Sequence, residues 1–248
     1  VLCFYRSYLT ASDLAPIEQL ICGFKQRGFN CLGIFVTSLK DKKVINWLEN
    51  LLMKFPVQSI INATAFSARG GEKNSSPLDH PNCTVFQISL STARKSEWLD
   101  SERGLSPSDL AMYVVLPEVD GRLFAGVISF KAPETRDKSL QYSKFVHKTS
   151  SRELDGVISK ISSWQRLNRK SVSDKTLFLV LSTYPGKDYQ MGHAVGLDTI
   201  ASTQKILSHL KSNGYTIPEV EDLKLTDLIQ GSIIKWSMKE YAKALQKL

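Results

Sequence analysis

Long apolar runs are missing from this 248-residue chain. None approaches the roughly 20 residues that a membrane-spanning helix needs, and no basic stretch followed by an apolar core and a cleavage site opens it. A cytoplasmic protein that spans no membrane is expected. Cysteine is scarce: Cys3, Cys22, Cys31 and Cys83 form no CxxC pair, and three of them sit in apolar runs, where a thiol behaves as a small hydrophobe. The nearest approach to metal-ligand spacing, His80-Pro81-Asn82-Cys83, has no second pair to complete it, so no metal site is expected. The glycines of residues 186–196 fit neither GxxxxGK[ST] nor GxGxxG, because Lys187 precedes the later ones and no Ser or Thr follows it. No Ser/His/Asp order or Cys/His pair offers a nucleophile, and His147 and His209 read as incidental. Charge of one sign is not concentrated either. The net charge of +8 is spread over residues 40–43, 166–170 and the C-terminal segment, which argues against nucleic acid as a partner but suits a ligand carrying several carboxylates.

What is present is alternation. Residues 1–5 read as a buried strand. Ile17, Leu20, Ile21 and Phe24 recur at helical spacing after Pro16, Arg27-Gly28 ends that helix, and residues 31–36 form the next apolar strand. A helix over 44–55 with Ile45, Leu48, Leu51 and Leu52 inward, a strand over 57–62, a long polar surface loop over 70–82 and a strand over 84–90 follow. The pattern predicts an α/β fold: a Rossmann-like, mostly parallel sheet with helices on both faces, its βαβ crossover right-handed. Residues 132–148 turn polar and read as a connector. Leu154, Val157, Ile158, Ile161, Trp164 and Leu167 make an apolar stripe on a helix over 153–169. A strand over 177–181, a helix over 199–212, Asn213-Gly214 and a strand start at 215–217 loosely echo the opening βαβ. The domain reading is therefore a Rossmann-like domain over 1–150, a bridging helix over 151–175 and the start of a second α/β unit over 176–248. The opening on a core strand and the closing helical pattern without a cap make both ends look cut.

The most specific stretch is GLSPSDLAMYVVLPEVDGRLFAGVISFKA, residues 104–132. Ser106 is placed to cap a helix, Pro107 suits its first position and Asp109 its positive end. The helix is expected to run to about Val114 and to stop at Pro117. Asp120-Gly121 then turns the chain into an apolar strand over 123–130. Together with INATAFSARGG (61–71), LSTARKSEW (90–98) and LSTYPGKDYQMGHAVGLD (181–198), this stretch resembles the large subunit of aerobic cobaltochelatase, a relative of the magnesium chelatase H subunit. The resemblance runs in order from Tyr5-Arg6-Ser7-Tyr8 to about Tyr215.

That resemblance implies a metal chelatase. The full subunit would bind hydrogenobyrinic acid a,c-diamide as corrin substrate and Co²⁺ as substrate metal, while AAA+ ATPase and integrin-like partner subunits hydrolyse ATP with Mg²⁺; the segment alone would be inactive. The residues themselves offer roles. Arg69 and Arg94 suit bidentate pairing with substrate carboxylates, although either also suits pairing with a protein carboxylate. Tyr184, Lys187 and His193, with Asp188 and Tyr189, suit a tetrapyrrole cavity, or a loop held by its own hydrogen bonds. Glu118 is the candidate general base for the ring N–H protons that metal insertion must remove; Asp120, two residues on, is already explained by turn chemistry. Two other readings compete: a scaffold or partner-docking module of a chelatase complex, and a magnesium or nickel chelatase subunit acting on another tetrapyrrole.

Overall fold

The structure is a computed structural model that describes residues 1–70, 75–79, 81–182, 192, 195–217 and 237–246. It divides into two compact units, Val1–Asn168 and Arg169–Leu248.

The first unit is built on a six-stranded sheet: β1 (Leu2–Tyr5), β2 (Gly33–Val36), β3 (Ser59–Asn62), β4 (Thr84–Ser91), β5 (Leu123–Pro133) and β6 (Phe145–Thr149). Its order is β2-β1-β3-β4-β5-β6, with every neighbour parallel except the β5–β6 pair. Successive residues of a strand face opposite ways, and the sequence is apolar at both. Leu2, Phe4, Ile61, Phe86, Ile88 and Leu90 pack one core with Ile17, Leu20 and Phe24 of α2 (Ala15–Gln26) and with Leu154, Val157, Ile158 and Ile161 of α7 (Ser151–Arg169). Cys3, Ile34, Val36, Ile60 and Val85 pack the other core with Leu48 and Leu52 of α3 (Lys42–Met53). Near-continuous apolar strands covered on both faces are what a parallel sheet requires, and the Rossmann-like α/β class read from the sequence is the class observed. The stripe on α7 is core packing: four of its six residues are buried here, and Trp164 lies edge-on to Phe86 at 6.1 Å. The helix packs in the first unit. Gly126 lets it come close, because a Cβ there would lie 2.8 Å from Val157 Cγ2 and its φ is +148°.

Three expectations are corrected. Residues 132–148 are not a plain connector: β5 runs on to Pro133 and returns as the antiparallel edge strand β6. Only one face of an edge strand is buried, so Phe145–Thr149 carries polar residues that hide it from an apolar-run search. The loop over 70–82 is not wholly superficial, since Pro77 and Leu78 are buried in a 3₁₀ turn and Asp79 pairs inward with Arg122 at 2.5 Å. Pro117 does not stop the preceding helix. The chain continues from α5 (Pro107–Leu110) through a π-turn (Ala111–Val115) into α6 (Leu116–Val119), with Pro117 in its first turn, where a missing N–H costs nothing. Ser106 caps α5, as expected, by accepting from the Asp109 N–H at 3.2 Å.

In the second unit, α8 (Thr199–Ser212) starts at Asp198, whose carboxylate accepts the Ala201 N–H, and α9 (Met238–Leu245) starts with a Ser237/Glu240 capping box. Residues 177–181 and 215–217 form no sheet ladder among the described residues. Phe178 and Val180 stand 90% and 84% exposed. A strand-like sequence becomes a strand only beside another.

Candidate functional site

Open parallel sheets bind ligands outside the carboxyl ends of their strands, where the strand order reverses. Here the reversal lies between β1 and β3, and residues 61–70, 90–98 and 104–121 all come to that edge of the sheet.

The loop after β3 is shaped from below by a buried amide pair. Asn62 Nδ2 donates to Gln87 Oε1 at 2.8 Å, Asn62 Oδ1 accepts from the Thr64 N–H and hydroxyl, and Gln87 Nε2 donates to the Thr64 carbonyl at 2.8 Å. Tyr5 donates its hydroxyl to the Ala65 carbonyl at 2.9 Å. Phe66 sits at a φ of +68°, a strained conformation for a bulky residue.

The helical stretch over 107–119 holds this loop and the one after β4. At one end Asp109, fully buried, accepts from the Ser91 hydroxyl (2.7 Å), the Thr92 N–H (2.9 Å) and the Thr92 hydroxyl (2.8 Å). At the other end Asp120, also buried, accepts from the Ser67 hydroxyl (2.7 Å) and from the N–H groups of Ala68 (2.6 Å) and Arg69 (3.3 Å). Between them the Met112 carbonyl accepts the Phe66 N–H at 2.8 Å. That carbonyl is free for a reason: the π-turn sends the Leu116 N–H to Ala111, and the next donor in line would be Pro117, which has none. Asp120 is thus more than turn chemistry, and Asp109 more than a helix-end charge. Sequence reasoning missed both clamps because their partners lie 17 to 53 residues away. Beneath the segment, Tyr8 of α1 (Arg6–Thr10) and the buried Tyr113 share a hydrogen bond, and burial pushes both phenols up from their ordinary pKa.

The exposed residues of the loop after β3 and of the helical stretch are apolar with charge at intervals. Phe66, Leu110, Val115 and Val119 are exposed, and Glu118 stands exposed among them. The Arg69 Nε lies 3.7 Å from Asp79, which Arg122 also holds. Arg94 is exposed at the start of α4 (Lys95–Asp100), following the loop that Asp109 anchors, and its N–H donates to Glu97 at 3.0 Å. Tyr184, Lys187 and His193, with Asp188 and Tyr189, lie outside the described residues.

A cleft of about 250 Å³ opens at the strand-order reversal, lined by Tyr5, Ser38, Leu39, Lys40 and residues 64–68. A separate buried cluster ties β6 to the loop after α1. Asp13 accepts from the His147 N–H (2.8 Å), lies 2.7 Å from His147 Nδ1 and pairs with Lys131 at 3.2 Å. Burial pulls the His147 pKa below its ordinary value, against the opposing pull of Asp13. Burial raises that of Asp13, but hydrogen bonds from His147 and Lys131 outweigh it and leave the carboxyl low. Among the described residues no group of three or more His, Cys, Asp or Glu is placed to hold a metal ion, and no helix is long and apolar enough to cross a membrane.

The sequence matches the family described as CobN/Magnesium Chelatase over residues 1–248. It is 32% identical over 221 residues to the aerobic cobaltochelatase subunit CobN of Sinorhizobium sp. and 33% identical over 216 residues to that of Pseudomonas aeruginosa, covering 88% and 87% of this chain. The chloroplastic magnesium-chelatase subunit ChlH of Oryza sativa subsp. indica is 25% identical over 229 residues. The catalytic subunit of cobaltochelatase from Mycobacterium tuberculosis superimposes with a TM-score of 0.68 over 89% of this chain, at 24% identity. The chain spans 17% of the length of the two CobN relatives and 19% of that solved structure.

Proposed function

The chain belongs to the CobN/magnesium chelatase family, and from that premise we propose that it is a segment of the large, corrin-binding subunit of an ATP-dependent cobaltochelatase. Its substrate in this reading is hydrogenobyrinic acid a,c-diamide, its substrate metal Co²⁺, and its setting the cytoplasm. AAA+ ATPase and integrin-like partners hydrolyse ATP with Mg²⁺. Cobalt rather than magnesium is favoured by the identities of 32% and 33% to CobN against 25% to ChlH. Residues 176–248 are, in the same reading, the start of a second α/β unit.

The observation that carries the reading is the convergence of three motif segments on one edge of the sheet. Two buried carboxylates and a freed carbonyl fix two strand-end loops to one helical stretch. Such fixing costs conformational freedom and creates a rigid surface in advance of any ligand. That surface has the character of a macrocycle's partner: exposed apolar side chains for a flat ring, and cations for its carboxylate rim.

In mechanism, Arg69 and Arg94 pair with substrate carboxylates and orient the ring; Tyr184, Lys187 and His193 remain, in this reading, further substrate-binding residues. Arg69 exchanges a long contact with Asp79 for the substrate, which the 3.7 Å separation makes inexpensive. Glu118, exposed on the rigid stretch, accepts a ring N–H proton as the metal enters. The proton leaves nitrogen as the metal–nitrogen bond forms, so no redox partner is needed.

Titrating the purified chain with metal-free hydrogenobyrinic acid a,c-diamide, and separately with a porphyrin, tests this by tryptophan fluorescence and the ligand's absorption band. Saturable binding of the corrin alone is expected. Binding of neither ligand contradicts a substrate surface in this segment, and binding of the porphyrin alone contradicts the cobalt branch.

A further inference from the structure

We propose that the cleft at the strand-order reversal is a pocket for one carboxylate arm of the substrate, with Lys40 as its counter-charge. The inference rests on the tetrapyrrole reading above and deepens it by naming a specificity residue that the sequence motifs do not include.

Size comes first. At about 250 Å³ the cleft is smaller than the roughly 300–1,000 Å³ of pockets that enclose a whole small molecule, so it fits a side arm and not a macrocycle. Position comes second: the cleft joins the loops after β1, β2 and β3, and its wall over residues 64–68 is the loop that Asp120 and Tyr5 hold rigid. An arm inserted there leaves its ring beside Phe66, on the exposed apolar face.

Charge selects the arm. Lys40 is the cation among the lining residues, and it takes part in none of the ion pairs among the described residues. Its stem passes Gly70, where a Cβ would lie 3.8 Å from Lys40 Cδ. Next along the wall from Ala68, Arg69 and Arg122 share Asp79, and Asp120 lies against residues 67–69, so these four charges balance and leave Lys40 as the cation that lines the cleft. Ser38 and Ser67 line the same space; Ser67 donates to Asp120 and accepts the Arg69 N–H, whereas Ser38 accepts the Lys40 N–H and keeps its hydroxyl proton to donate.

A phosphate ligand fits less well. Sheets that bind nucleotides at this place cradle phosphate on the N-terminus of the following helix. Here the end of α3 is filled by the chain's own Asp41, whose carboxylate accepts the Lys43 N–H at 2.9 Å, and α1, which follows β1, is a turn of only five residues. One lysine matches a monoanion, which a carboxylate arm is.

The test is binding by the full-length subunit, wild type against K40A and K40R. The probes are metal-free hydrogenobyrinic acid a,c-diamide and its fully amidated, neutral counterpart. K40A should weaken the acid about tenfold and change the amidated ligand less than about twofold, with K40R retaining most of the affinity and wild-type binding weakening as salt is raised. Equal affinities of K40A and wild type for the acid overturn the arm pocket and leave the tetrapyrrole reading standing. Equal losses for both ligands also overturn it, since the lysine would then act through the fold and not through charge. Absence of saturable binding by the wild type overturns the tetrapyrrole reading, and this inference with it.

Discussion

His147 shows how much a single residue conceals in a sequence. Read from its neighbours it is one polar residue in a polar stretch; in the fold it is 5% exposed, its Nδ1 held by Asp13 and its Nε2 buried without a partner. The groups around it are Asp13 from the loop after α1, Lys131 on β5 and Tyr8 on α1, with Asp109 near enough to be felt. Its pKa in the folded protein lies below the ordinary 6.5. The unfolded chain therefore binds a proton there that the folded one refuses, and stability present above pH 6.5 is lost as pH falls through the folded value. Urea midpoints at pH 7.5 and 5.5 should show this loss in the wild type and a smaller one in H147Q. Identical losses would contradict the assignment. The low pKa of Asp13 acts in the same direction, but only below the ordinary 3.8, outside that window.

At the scale of elements, the alternation of apolar strands with helices of 3.6-residue period was enough to read the sheet, because each of those signals is local. The stripe Leu154, Val157, Ile158, Ile161 could be recognised for the same reason. Edge strand β6 could not, since its one buried face is polar. The course of residues 107–119 could not either: a proline normally ends a helix, and only the tertiary demand for a free carbonyl at Met112 explains a π-turn just before one. The clamps belong to this scale as well. Removing the Asp120 carboxylate leaves a serine hydroxyl and two backbone N–H groups without their acceptor in a buried place, so D120A should lower unfolding stability by about 2–4 kcal/mol. Denaturant unfolding measures it, and a change below about 0.5 kcal/mol, ordinary for a surface substitution, would show that the clamp does not hold the loop.

For the molecule as a whole, the family was legible from ordered motifs and the site only in part. Arg69, Arg94 and Glu118 were singled out as chemistry-bearing residues; the fold sets Arg69 on the loop that Asp120 anchors, Arg94 just after the loop that Asp109 anchors, and Glu118 on the helical stretch that carries both carboxylates. What could not be read was the anchoring itself, or the cleft whose wall it stiffens, because both arise from residues far apart in the chain. The central claim is that the rigid edge carries the substrate surface, with Glu118 as the base in metal insertion. The most direct measurement is the rate of Co²⁺ insertion by the full-length subunit with its ATPase partners, wild type against E118Q, alongside the affinity of each for the metal-free corrin. The account predicts a loss of at least about a hundredfold in rate with affinity changed by less than about threefold. An unchanged rate would contradict it.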